Sequence, residues 1–68
     1  MQGPYIEFLQ DVLITMHANI RELRERKSFA NPEDLTYIEA KLTAYNELLS
    51  ILRSSADEFG IDRDAIGL

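Results

Sequence analysis

Cysteine is absent from the 68-residue chain, which removes disulfides, thiolate metal sites and thiol catalysis and fits a reducing compartment. Basic charge is in short supply. Seven Lys and Arg stand against twelve Asp and Glu, a formal charge of −5, and that balance opposes nonspecific attraction to nucleic acid or an anionic membrane. The three glycines, Gly3, Gly60 and Gly67, are too scattered to form a phosphate-cradling loop or a dinucleotide fingerprint, and serine-nucleophile motifs are missing. No long hydrophobic run occurs either. The fairly apolar stretch from Tyr5 to Ile20 is interrupted by Glu7 and Asp11, follows no basic residue, and is shorter than the ~20 apolar residues a membrane span needs. A soluble, cytoplasmic chain without a membrane segment is the expectation.

A single domain of 68 residues has a small core, so an additional source of stability is expected. With disulfides excluded, the remaining source is association with another chain.

What the sequence does contain is helical periodicity. Pro4 suits the first position of a helix, where a missing N–H costs nothing, and Gly3 before it is a plausible N-cap. From there Ile6, Leu9, Leu13, Met16, Ile20 and Leu23 recur at spacings of three and four, which lays them in one stripe along a helix over about residues 4–28. A second stripe, Leu35, Ile38, Leu42, Tyr45, Leu49, Leu52, Ala56 and Phe59, predicts another helix over about 32–59.

Between the stripes stands Asn31-Pro32. Proline disfavours helical geometry in the residue before it, Asn is a preferred N-cap and Pro a preferred first helical residue, so the chain stops and restarts here. Arg24, Arg26 and Lys27 complement the dipole at the end of the first helix, and Glu33 and Asp34 at the start of the second. A turn over 28–31 is short enough to fold the helices back as antiparallel neighbours. Gly60 after Phe59 offers the left-handed C′ residue that ends many helices. The tail 60–68 is expected to be partly ordered at best, although Asp62 is able to cap one further turn carrying Ala65 and Ile66. The fold class is therefore all-α: an antiparallel two-helix hairpin, 1–68, expected to dimerise into a four-helix bundle.

A hairpin buries one stripe from each helix, which makes the leftover apolar residues informative. Tyr5, Phe8, Val12 and Ile14 lie in the first half of the first helix; Tyr37, Ala44, Leu48 and Ile51 lie mostly in the second half of the second. Antiparallel folding brings those halves together at the open end, with Phe8 near Leu52 and Val12 near Leu48. Single exposed hydrophobes need no explanation, but clustered ones mark an interaction surface. The candidate surface is Tyr5, Phe8, Val12, Tyr37, Ala44, Leu48 and Ile51. Self-association, with a dimer favoured, is its expected use, and a face for a different protein is the alternative.

The segment RELRERK gathers Arg21, Arg24, Arg26 and Lys27 at the turn end, a candidate secondary contact for an acidic partner or a nucleic acid. Glu22 and Glu25 interleave it, and Arg21–Glu25 and Glu22–Arg26 have the spacing of surface ion pairs. A solvated helix end is the reading the pattern supports, and nucleic-acid association through this end is kept as the alternative function.

Catalytic and ligating groups are sparse. His17, the one histidine, flanks the first stripe with no acidic residue three or four positions away, and Ile14 stands where a Glu-x-x-His metal motif needs its carboxylate. Glu7 and Asp11 are one turn apart and read as solvent-facing acids. In the tail, DRDAIG resembles the start of a calcium loop, but Ile66 replaces an oxygen ligand and the twelfth-position acid is missing. Neither an enzyme nor a bound cofactor is expected; a noncatalytic protein-binding or regulatory module is.

Overall fold

The first apolar stripe and Pro4 carry helix α1 from Gly3 to Lys27 in the computed structural model, which describes residues 3–68. Gly3 is already helical, so it is not the N-cap expected from the sequence; the capping position falls outside the described residues. At the other end Arg24, Arg26 and Lys27 occupy the last turn of α1, opposite in sign to the helix dipole. The chain then tightens: the Ser28, Phe29 and Ala30 amides donate to the carbonyls of Glu25, Arg26 and Lys27 at 3.3, 3.1 and 3.5 Å, the three-residue spacing typical of a closing turn.

Asn31 restarts the chain. Its backbone is extended, with φ −75° and ψ 170°, as an N-cap requires, and its Oδ1 accepts the Asp34 amide at 2.9 Å. Pro32 takes the first helical position, and Glu33 and Asp34 fill the first turn of α2, which spans Pro32–Glu58. The cap, the proline and the acids act together on one helix start.

The two long helices pack along the stripes. Leu13, Met16, Ile20 and Leu23 of α1 and Ile38, Leu49 and Ala56 of α2 are buried, while Leu9, Leu42, Tyr45 and Leu52 are partly covered around them. Phe59 departs from the pattern. It is 78% exposed because it is the C-cap, where helical geometry ends. Gly60 follows with φ 68°, the Ile61 amide reaches back to the Ala56 carbonyl at 2.7 Å, and the Gly60 amide to that of Asp57 at 3.2 Å. This Schellman turn redirects the chain one residue before the stripe would have ended.

The tail is ordered, contrary to the expectation from sequence. Asp62 Oδ1 accepts the Asp64 amide at 3.0 Å and caps a short helix α3, Arg63–Ile66. Gly67, with φ 88°, closes it, and the Leu68 amide bonds the Arg63 carbonyl at 2.8 Å, repeating the exit used by α2. Ile66 is buried in the same cluster as Leu13, Met16, Ile20, Leu49 and Ala56, with Ile61 and Leu68 packed against it. Long-range contacts supply the order that eight residues lack locally.

Candidate interaction surface

The hairpin has two broad faces, and the tail covers only one. On the covered face α3 lies across the open end, where Ile66, Ile61 and Leu68 meet Leu9, Leu13, Leu52 and Ala56. Two α1 side chains hold the tail backbone: Gln10 Nε2 donates to the Ala65 carbonyl at 3.1 Å, and His17 Nε2 lies 3.3 Å from the Gly67 carbonyl. That contact requires a proton on Nε2, so His17 serves as a backbone donor. Arg63 grips Asp57 with a two-pronged contact, Nε to Oδ1 at 3.0 Å and Nη2 to Oδ2 at 2.5 Å. The guanidinium holds the Asp57 carboxyl below its ordinary pKa through this hydrogen bond, and the carboxylate raises that of Arg63. The pair is half exposed, so solvent screening leaves it a guide to tail placement more than a source of stability.

None of these tail contacts was visible as a site in the sequence. Asp62 was readable as the cap of one further turn, but Gln10, His17 and Asp57 join the tail only through the fold.

The second face is uncovered. Asn19 Nδ2 donates to the Tyr45 hydroxyl at 3.0 Å, which ties this side of α1 to this side of α2. Val12 lies two helical turns before Asn19, with Phe8 and Tyr5 at spacings of four and three beyond it, so they follow the same flank of α1 toward the open end. On α2, Tyr45 borders a shallow groove with Lys41, Ala44 and Leu48. Tyr5, Phe8, Val12, Ala44 and Leu48 therefore share one face, and all are exposed. Tyr37 extends the row toward the turn, where Lys41 Nζ stands 5.0 Å from its ring centroid; the Tyr37 side chain is the main cause of an upward shift in the Lys41 pKa. Ile51 stands farther out, beside Thr43, Glu47 and Ser50. Ile14, expected from the sequence to join this group, lies on the other face beside Gln10, His17 and the tail, because its helical phase places it across the seam.

The turn end combines basic side chains with one exposed aromatic, Phe29. Arg21, Arg24, Arg26 and Lys27 are all exposed, and Glu22 and Arg26 line a groove with Asn19, Lys41 and Tyr45. Lys27 Nζ approaches Glu39 Oε1 at 3.7 Å. Among the described residues the charged pairs in contact are this one and Asp57–Arg63; the spacings Arg21–Glu25 and Glu22–Arg26 do not produce pairs. Glu7 and Asp11 belong to no group of three or more His, Cys, Asp or Glu able to hold a metal ion among the described residues. No helix among those residues is long and apolar enough to cross a membrane. The chain matches no known protein family, no curated protein and no solved structure.

Proposed function

We propose that the protein is a noncatalytic, cytoplasmic helical module that associates with itself, two hairpins forming a four-helix bundle, and that presents the assembled unit to other proteins as a binding or regulatory element. The observation that carries this reading is the uncovered face with Tyr5, Phe8, Val12, Ala44 and Leu48 on one side of the hairpin. Among the described residues eight apolar side chains are buried and nine large ones stay exposed, so folding alone leaves as many outside as it takes in. For a chain of 68 residues without cysteine, covering that surface is the available route to added stability.

Leu48→Asp tests the reading. It charges the uncovered face and leaves the stripe residues in place, so the expected outcome is a lower mass in sedimentation equilibrium and a melting temperature that falls toward that of an isolated hairpin. A parent protein that stays folded and monomeric at all accessible concentrations counts against self-association.

A further inference from the structure

We infer that the uncovered face docks a basic amphipathic helix of another protein, which lies along the groove between α1 and α2 in place of a second copy. The inference rests on the reading of that face as the association surface and adds to it the chemistry of the partner that competes for it.

Charge selects the partner. Residues 21–41, on the turn side, hold five basic and five acidic residues that cancel, so the remaining two basic and seven acidic ones put the whole formal charge of −5 on the open half. Arg63 is engaged by Asp57. Arg53 is then the one remaining cation against Glu7, Asp11, Glu47, Glu58, Asp62 and Asp64, all six of them exposed.

Three of these carboxylates border the apolar row. Asp11 stands three positions after Phe8, its neighbour on the helix surface; Glu47 lines the same shallow depression as Ile51, and Glu58 follows Ile51 by two turns on the same side of α2. Acid therefore runs along both outer edges of Phe8, Val12, Leu48 and Ile51. Lys41, which shares the groove with Leu48, is placed toward the turn, 5.0 Å from the Tyr37 ring centroid.

A helix with an apolar stripe flanked by Lys and Arg matches that layout: its stripe meets Val12, Ala44 and Leu48, with Tyr5 and Phe8 at one end, and its flanks meet Asp11 and Glu47. A second copy matches less well, because it brings its own Asp11 and Glu47 to edges of the same sign, and like charges across an interface are unfavourable. Nucleic acid and anionic lipid carry the sign that these edges repel. The tail, held over the opposite face as a clasp by the Gln10, His17 and Asp57 contacts, leaves the groove open.

The test titrates the full chain with a synthetic helical peptide that has leucines three and four positions apart and lysines along both flanks, and with its counterpart carrying glutamates for the lysines. The lysine peptide is expected to bind one to one, to shift the Val12 and Leu48 amide resonances, and to outbind the glutamate peptide by about tenfold or more at low salt, a margin that shrinks as salt rises. The double variant Asp11→Lys with Glu47→Lys, which changes only exposed positions, is expected to reverse the preference. Equal binding of the two peptides, or a preference the double variant leaves unchanged, overturns the inference. Sedimentation equilibrium separates this outcome from the fate of self-association: a dimer that the lysine peptide fails to dissociate overturns the docking helix alone, and a monomer that binds the lysine peptide with the expected preference overturns self-association alone.

Discussion

The two faces of the hairpin are built from the same pair of helices and differ by a single eight-residue segment. On one face that segment packs over Leu13 and Ala56 and leaves Ile14 exposed beside it; on the other, Tyr5, Phe8 and Leu48 stay exposed. The difference arises at Gly60. A left-handed residue there turns the chain back across one side of the open end. Apolar composition alone therefore does not decide which surface is available to a partner: the direction of a helix exit does.

The contrast is broken most strongly from beneath the clasp. Leu13, at 2% exposure, belongs to the hairpin seam and the tail groove at once, and truncating a buried leucine to alanine costs about 2–5 kcal/mol. That is a large share of the ~5–15 kcal/mol that holds native proteins together, so Leu13→Ala is expected to lower the melting temperature sharply at every protein concentration. Leu48→Ala, on the uncovered face, is expected to lower it only where the chain is associated. Denaturation followed at several concentrations separates the two, and equal concentration dependence would falsify the distinction between the faces.

Ile66→Ala probes the clasp itself. The full cost of a buried isoleucine, about 2–5 kcal/mol, is not expected, because the tail has the option of detaching while α1 and α2 stay packed. Amide exchange should accelerate selectively at Gly67 and Leu68, whose amides bond Asp64 and Arg63, while Leu49 remains protected. Uniform acceleration along the chain would show that tail and hairpin unfold as one unit.

The faces exist only because the chain bends, and the bend was readable from residues 31 to 34. Loss of an N-cap typically costs ~1 kcal/mol and an interior proline opposes a helix by ~3 kcal/mol. Replacing Asn31 and Pro32 together by alanine is expected to raise helix content and shift the chain toward an extended or exchanged assembly. Circular dichroism with small-angle scattering checks this; unchanged helicity and dimensions would mean that the packed stripes alone impose the hairpin.

Legibility followed the range of the interactions involved. The stripes Leu13–Leu23 and Ile38–Ala56, the Asn31 cap and the Gly60 exit depend on neighbours within a few positions, and the helices and their break were readable for that reason. Phe59 was counted in the stripe because it continues the spacing, although as the residue before Gly60 it is the C-cap, where helical phase ends. Ile14 was grouped with the wrong face because counting leftover apolar residues ignores helical phase, which places it beside His17. The tail was misread for a third reason: Gln10 and His17 lie 55 and 50 positions from the residues they hold, and a four-residue helix has no periodicity with which to announce such partners.

The smallest expected effect concerns acid, and it separates the faces by charge. Asp57 meets Arg63 in the ion pair that positions the tail, and its carboxyl is held below its ordinary pKa of 3.8. A carboxylate with a lowered folded-state pKa contributes its stabilisation above the ordinary value and loses it as pH falls through the lowered one. Acidification should therefore loosen the clasp before it disturbs the seam, whose buried members are all apolar. The exposure of the pair keeps the effect modest. Following the Asp57 carboxyl by carbon-13 NMR should give a midpoint below 3.8, with amide exchange at Leu68 rising over the same range, and Asp57→Asn should abolish that acid dependence. An ordinary midpoint, or a Leu68 exchange profile unaltered by the substitution, would remove Asp57 from the clasp and leave its placement to Ile66, Gln10 and His17.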